Sequence, residues 1–429
     1  MFRKILLIVA ILCVASPAHA LDWEMDELMI FGGWPWTNGA DPDLQAKIYA
    51  DAGFNVLMGT RDKLEVCRKY GLKLIVEGIT PEDVPVLKDH PALWGYWIID
   101  EPLWNMNAVR HIAEQYHEAD STHPVYTNLV SRAGNYLKNY MDIVEPEILS
   151  YDFYEWWWGT EGHFPKLEKH RDAAIAADVP LIRWIEYTAT YGFEFQGHDK
   201  SRPEDNEARL RRSVFTSLAY GVTGIQWFTG RALFEKDGAS LNDCGRDVKA
   251  INADINVLGP HLMKLKSVDV FHTAPLPRDT REVPEKHWVH MAESGYPNLV
   301  MGLFQDDAKL DYLMMANANW MFEKMAVLEF SEPVEKVEKL NKKTGEWEAL
   351  EIRTDGTTAE TKKLITRNLA FQMYSQRTGG DLVTHGADNY ERWFSDKNHN
   401  LFVEFMMAAG DGELLRVTRD LKPETTRKW

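Results

Sequence analysis

The stretch Trp94-Gly95-Tyr96-Trp97-Ile98-Ile99-Asp100-Glu101-Pro102 decides the fold. Its apolar run is as long as a buried strand, and it ends abruptly in two carboxylates and a proline. A strand that is apolar on both faces belongs in a parallel sheet covered by helices. The polar ending marks the place where the strand leaves the core.

Outward from this stretch, eight apolar runs alternate with amphipathic helical segments between residues 28 and 265. Helix signals lie between the runs, such as Asp41-Pro42 before one helix and Gly53 just past its end. Eight such units in about 240 residues predict an α/β chain folded as a (β/α)8 TIM barrel. The predicted strands are Leu28–Phe31, Phe54–Met58, Leu72–Val76, Trp94–Ile99, Val125–Val130, Ile148–Phe153, Leu181–Ile185 and Gly224–Phe228.

After about residue 268 the pattern changes to short alternating runs separated by turns such as Asp355-Gly356 and Gly410-Asp411-Gly412. This pattern predicts a C-terminal antiparallel β-sandwich domain. We therefore divide the chain into a barrel at 21–267, a β-sandwich at 268–420 and a polar tail at 421–429.

The first twenty residues have the features of a signal peptide: basic Arg3 and Lys4, a short apolar run, and Ala18-His19-Ala20 as a cleavage site. Cleavage near Ala20 predicts export to the periplasm or the medium, with no membrane anchor. The formal charge of -17 becomes -17 - 2 = -19 without Arg3 and Lys4. This acidic balance argues against nucleic acid as a partner.

Beyond the signal segment only Cys67 and Cys244 remain, and we expect them to be buried in separate outer helices. The sequence contains no CxxC, HExxH or HxH spacing. We therefore expect neither a metal nor a cofactor.

Catalytic groups of such barrels lie at the carboxyl ends of the strands, where the βα loops form the open face. Two glutamates stand there, Glu101 after the fourth strand and Glu186 after the seventh. Glycosidic hydrolysis uses a carboxyl that protonates the leaving oxygen and a second that attacks the sugar or activates water. Further strand ends carry residues that we assign to substrate binding: Trp34, Trp36, Asp100, Asn128, Asp152, Tyr154 and Trp227.

A glutamate on strand 4, a glutamate on strand 7 and a tryptophan on strand 8 resemble the clan of retaining glycoside hydrolases with (β/α)8 barrels. The resemblance is close to its β-galactosidase-like members, which also carry a C-terminal β-domain. It implies that Glu101 is the general acid/base, that Glu186 is the nucleophile and that Trp227 lies under the sugar. It also implies a hydrogen bond from Tyr154 to the nucleophile, and an oligosaccharide or polysaccharide as substrate.

One departure from the clan leaves an alternative open. The clan usually has asparagine before the acid, and here that residue is Asp100. An Asp-Glu pair on strand 4 is similar to that of substrate-assisted β-hexosaminidases, in which the aspartate steadies a 2-acetamido group. A third possibility is a carbohydrate-binding barrel without turnover. The sugar, its linkage and the oligomeric state stay open.

Overall fold

The barrel predicted from the sequence is present in the computed structural model, which describes residues 21–103, 105–187, 206–292, 299–354 and 401–420. Eight parallel strands pair in sequence order, and β8 closes the ring by pairing with β1. The strands are β1 Met29–Gly32, β2 Val56–Gly59, β3 Lys73–Val76, β4 Leu93–Asp100, β5 Val125–Val130, β6 Leu149–Asp152, β7 Leu181–Glu186 and β8 Gly224–Phe228. Each predicted strand is confirmed to within two residues at either end.

Helices cover the outside of the ring, as expected for strands that are buried on both faces. They are α1 Pro42–Asp51, α2 Leu64–Lys69, α3 Met106–Ala119, α4 Tyr136–Val144, α5 Glu155–Trp158, α6 His163–Ala177, α7 Asn206–Ala219 and α8 Asp243–Leu262. The Asp41 carboxylate caps α1 by accepting a hydrogen bond from the Asp43 amide. Cys67 on α2 and Cys244 on α8 are both buried, as predicted.

The C-terminal part consists of two antiparallel sheets. The six-stranded sheet has the order β15-β14-β17-β12-β11-β9, and the three-stranded sheet has the order β10-β13-β16. The strands are β9 Lys266–His272, β10 Val289–Ala292, β11 Leu299–Gln305, β12 Asp311–Asn317, β13 Lys324–Phe330, β14 Val334–Leu340, β15 Trp347–Ala349, β16 Leu401–Met407 and β17 Gly412–Arg419. One apolar core contains side chains from both sheets, which confirms the sandwich.

The six-stranded sheet packs against α7 of the barrel, because Val300 and Leu414 share the barrel's core with Phe215. Gly302 shows how close this approach is: a Cβ there would lie 2.0 Å from the backbone oxygen of Ala219. The barrel and the sandwich therefore meet along α7.

Two predicted segments, the signal peptide at 1–20 and the polar tail at 421–429, lie outside the described residues. Within the described ranges, none of the helices is both long and apolar enough to cross a membrane.

Candidate active site

The end of β4 turns sharply and brings Glu101 to the open face of the barrel. Glu101 has a φ of 43°, in the left-handed region that L residues rarely adopt. Its amide donates a hydrogen bond to the Asn128 carbonyl at 2.9 Å, which fixes this turn to β5. The preceding Asp100 is exposed. Partial desolvation by the barrel mouth, together with the neighbouring Glu101 carboxylate, raises the pKa of Asp100 to about 6.

Asn128, at the centre of β5, connects two acidic strand ends. Its Nδ2 donates to Asp100 Oδ1 at 3.4 Å and to Asp152 Oδ2 at 3.3 Å. Its Oδ1 accepts a hydrogen bond from the Ser150 hydroxyl at 3.2 Å. The Ser150 hydroxyl thus fixes the orientation of the Asn128 amide, and the Asn128 N–H groups face the carboxyls of Asp100 and Asp152.

The carboxyl of Asp152, at the end of β6, lies within hydrogen-bonding contact of the Glu101 carboxyl. Asp152 is only 6% exposed. Burial and the charges of Glu101 and Asp100 raise its pKa well above the usual range, whereas the bond from Asn128 opposes this shift. The raised pKa favours the protonated form of Asp152, which can donate a hydrogen bond to the Glu101 carboxyl. This contact between two predicted site residues was not foreseen from the sequence.

Tyr154 follows β6, and its hydroxyl lies among the acidic residues. Burial raises the pKa of Tyr154 well above its usual value. The pKa is raised further by four nearby acidic residues, which are, from the largest effect to the smallest, Asp152, Asp100, Glu186 and Glu101. One phenol thus lies within electrostatic reach of carboxylates from β4, β6 and β7. The structure therefore brings the two predicted catalytic glutamates to the same mouth of the barrel.

Glu186 is the deepest of these acids, with 2% of its surface exposed. It ends β7 and pairs in register with Phe228 of β8. Its side chain points to the same side of β7 as Trp184, since alternate residues of a strand share a face. Arg183, on the opposite face, donates to the Ser217 hydroxyl of α7 and so lies behind the barrel wall.

An aromatic cluster forms the floor and one side of the mouth. The Trp34 ring lies 5.3 Å from that of Trp184 and 5.7 Å from that of Phe228. Phe228 stacks on Tyr154 with ring centroids 5.3 Å apart. Trp157 packs edge-on against Tyr154 at 5.1 Å. These rings give the acidic cluster an apolar border suited to the C–H faces of a sugar.

The prediction that Trp227 lies under the sugar is wrong. Trp227 is 0% exposed, and its indole N–H donates to Asn252 of α8 at 2.9 Å. The ring therefore packs between β8 and α8, outside the barrel wall. The next residue, Phe228, faces the mouth in its place. Strand alternation indicates from the sequence that only one of the two adjacent rings faces the mouth, and the register with Glu186 identifies that ring as Phe228.

Trp36 lies over β2, at the rim of the mouth. Its indole N–H donates to the Met58 carbonyl at 2.8 Å, and the Lys63 ammonium lies 5.7 Å from its ring centroid. The ring therefore packs on the rim, and its only hydrogen-bond donor is already used by the backbone. Sequence reasoning placed Trp36 at the mouth but did not foresee these contacts.

Among the residues that the structure describes, no three histidine, cysteine, aspartate or glutamate side chains are arranged to hold a metal ion. The acids of the mouth contact an amide and each other instead.

No family model matches the sequence, and no curated protein matches it. Solved structures share the architecture at low identity. A GH27 β-L-arabinopyranosidase from Geobacillus stearothermophilus matches at 8% identity over 95% of this chain and 100% of that chain, with a TM-score of 0.48. An α-amylase from Anoxybacillus matches at 9% identity over 93% and 99%, with a TM-score of 0.49. A β-glucuronidase from an uncultured Clostridium sp. matches at 12% identity over 53% of this chain and 50% of that chain, with a TM-score of 0.41. This chain therefore spans about half the length of that last relative.

Proposed function

We propose that the protein is an exported glycoside hydrolase that cleaves β-glycosidic bonds with retention, with Glu101 as general acid/base and Glu186 as nucleophile. The observation that carries this proposal is that Glu101 and Glu186 lie at the carboxyl ends of two strands of one closed barrel, where the charges of both raise the pKa of Tyr154. The two groups that the reaction needs therefore stand at the same end of the barrel, beside the aromatic cluster.

The dimensions of the barrel allow the carboxyls at the ends of β4 and β7 to act on one glycosidic bond. Eight strands about 4.8 Å apart and tilted by about 36° close into a ring about 15 Å across, so the ends of β4 and β7 lie about 14 Å apart. Side chains that reach inward from these two strand ends can bring their carboxyls to the distances that glycosidases use, of which about 5–5.5 Å is the spacing of retaining enzymes. Inverting enzymes need about 6.5–9.5 Å to hold a water molecule.

Asp152 contacts the Glu101 carboxyl and, when it is protonated, can donate a hydrogen bond to it. A protonated Asp152 stabilises the Glu101 carboxylate, the form that acts as base when water attacks the glycosyl intermediate. Asn128 holds Asp152 in this orientation. Asp152 is therefore a positioning residue in this mechanism.

A substrate-assisted β-hexosaminidase is the second candidate, favoured by one observation. The exposed Asp100 carboxylate accepts a hydrogen bond from Asn128 and stands beside Glu101. In this orientation it could accept the N–H of a 2-acetamido group. The nucleophile would then be the substrate's own acetamide, and Glu186 would not be required.

A panel of aryl β-glycosides that includes N-acetylglucosaminides tests the proposal, with the anomer of the first product read by NMR. We expect hydrolysis with retention, and a loss of about 10²- to 10⁴-fold in Glu101→Ala. Glu186→Ala should be inactive and regain turnover with azide, whereas Glu118→Ala, on the exposed face of α3, should equal the wild type. Full activity of Glu186→Ala on N-acetylglucosaminides alone would favour the second candidate. Sugar binding without any cleavage would indicate a binding barrel.

Export is tested separately by the N-terminal sequence of the secreted protein. We expect the mature chain to begin at Leu21, immediately after the Ala18-His19-Ala20 site. An uncleaved, retained chain would contradict export without affecting the assignment of the catalytic residues.

A further inference from the structure

We propose that Arg212 of α7 is a positioning residue that fixes Tyr154 in the mouth through Glu155 and connects the β-sandwich to the active site. This inference rests on the proposed function. It concerns a cluster behind the barrel wall that neither the sequence motifs nor the proposed mechanism uses.

Glu155 directly follows Tyr154, and its carboxylate is fully engaged. Glu155 is 2% exposed. Its Oε1 accepts the Ser213 hydroxyl at 2.5 Å and Arg183 Nη2 at 3.4 Å, while its Oε2 accepts Arg212 Nη1. The buried His163 also faces this carboxylate, with its Nδ1 3.0 Å from Oε2. A buried carboxylate with three donors has one stable orientation, so the backbone on either side of it is fixed as well.

Arg183 connects this cluster to the strand that carries Glu186. Its Nη2 also donates to the Phe153 carbonyl at 3.4 Å, in the segment that leads from β6 to Tyr154. Its Nη1 donates to the Ser213 carbonyl at 3.1 Å. The loop that presents Tyr154 is thus tied to β7 and α7 from behind, and its distance from Glu186 is set by these bonds.

Arg212 extends the same cluster into the second domain. Its Nε donates to the Ala318 carbonyl at 3.1 Å, in the segment that follows β12. Its guanidinium lies 5.5 Å from the Trp320 ring centroid and 5.6 Å from that of Trp156, and the two rings pack edge-on at 5.2 Å. A displacement of the sandwich would therefore move Arg212, and with it Glu155 and Tyr154.

Arg211 provides a matched control. It lies beside Arg212 on α7 and also bridges the two domains, through Asp411 at 3.3 Å and Asp254 of α8 at 2.6 Å. These contacts are on another side of the helix from Glu155. Loss of Arg211 weakens domain packing without removing a partner of Glu155.

The test compares Arg212→Met with Arg211→Met in the full-length enzyme, using kcat, KM and the pH profile on the best aryl glycoside. Because a misplacement of about 1 Å can lower turnover about 100-fold, we expect kcat of Arg212→Met to fall about 10- to 100-fold with KM within about threefold. If Tyr154 donates a hydrogen bond to the Glu186 carboxylate, as the resemblance implies, displacing its hydroxyl destabilises that carboxylate, so the acidic limb should move to higher pH. Arg211→Met should keep the wild-type kcat and pH profile.

Equal losses in both variants, or a folded Arg212→Met with wild-type kcat and pH limbs, would overturn the inference. If Arg212→Met does not fold, Trp320→Ala keeps the Arg212–Glu155 pair but removes its support, and it should lower kcat about 3- to 10-fold with the same shift of the acidic limb. An unchanged profile in Trp320→Ala would then contradict the inference. A wild type that cleaves no glycoside would contradict the proposed function instead. An Arg212→Met variant with wild-type kcat, beside an inactive Glu186→Ala, would contradict this inference alone.

Discussion

Replacing Asp152 by asparagine should change how the stability of the protein depends on pH. The Asp152 carboxyl is buried against Glu101, and its pKa in the folded protein is raised. In the unfolded chain the pKa of an aspartate is about 3.9. Below that pH both states are protonated and Asp152 contributes fully to stability. As the pH rises, the unfolded chain loses the proton first, so the free energy of unfolding decreases until the pH passes the folded pKa.

The size of the effect of Asp152→Asn on stability follows from the difference between the folded and unfolded pKa values of Asp152. Between the two pKa values, each pH unit lowers the free energy of unfolding by about 1.4 kcal/mol through Asp152 alone. Asparagine removes this titration but keeps the geometry, because its amide N–H groups can donate to Glu101 and its oxygen can accept from Asn128. Relative to the wild type, Asp152→Asn should therefore gain stability as the pH rises from 5 to 7, by up to about 1.4 kcal/mol for each pH unit that lies below the folded pKa of Asp152.

Urea denaturation at pH 5, 6 and 7 measures this gain. Asp307→Asn is the control, since Asp307 is 92% exposed and lies far from the mouth in the sandwich. If the free energy of unfolding changed with pH in the same way for the wild type and for Asp152→Asn, the reasoning would be refuted, because Asp152 would then be ionised in the folded protein. Activity provides a second readout: Asp152→Asn should keep turnover within about tenfold of the wild type, whereas a loss of about 10²- to 10⁴-fold would make Asp152 a general acid or base.

Three further predictions concern the neighbours of this site. Phe228→Ala should raise KM about tenfold because it removes a ring of the mouth. Trp227→Phe should instead lower stability by about 1–3 kcal/mol without a change in KM. The opposite pattern in steady-state kinetics would show that Trp227 is the ring that binds the sugar. Asp100→Asn should keep turnover on simple β-glycosides within about tenfold and remove an ionisation near pH 6 from the pH profile; a loss confined to 2-acetamido substrates would indicate substrate assistance. Burial raises the pKa of the Cys67 thiol to about 12. A thiol reagent at pH 8 should therefore label Cys67 only after unfolding. Rapid labelling of the native protein would contradict the burial of Cys67 in α2.

The fold could be predicted from the sequence because the strands are buried on both faces and the helices carry clear end signals. Leu181 and Ile185 mark a strand that is buried on both faces and belongs in a helix-covered sheet, and the charged pair Asp100-Glu101 marks the end of β4. Because the strand ends were predicted correctly, the rule that catalytic groups lie at the carboxyl ends of barrel strands also predicted one common location for Glu101, Asp152 and Glu186.

The details of the site could not be predicted because they depend on three-dimensional contacts. The left-handed turn at Glu101 brings its carboxyl to Asp152, and no sequence pattern specifies that conformation. Trp227 and Phe228 are adjacent aromatic residues, so only the register with Glu186 shows which of them faces the mouth. Glu155 reads as an exposed charge in a tryptophan-rich loop, and only the fold shows that Arg183 and Arg212 surround it.

The most direct test is to identify the residue that becomes covalently bound to sugar. A 2-deoxy-2-fluoro β-glycoside of the preferred sugar, with a good leaving group, slows hydrolysis of the glycosyl intermediate so that it can be digested and sequenced by mass spectrometry. The double-displacement mechanism predicts one added sugar, located on Glu186, although only 2% of that residue is exposed. A sugar attached to Asp152 or Glu101, or an enzyme that turns over the substrate without forming any adduct, would contradict the assignment.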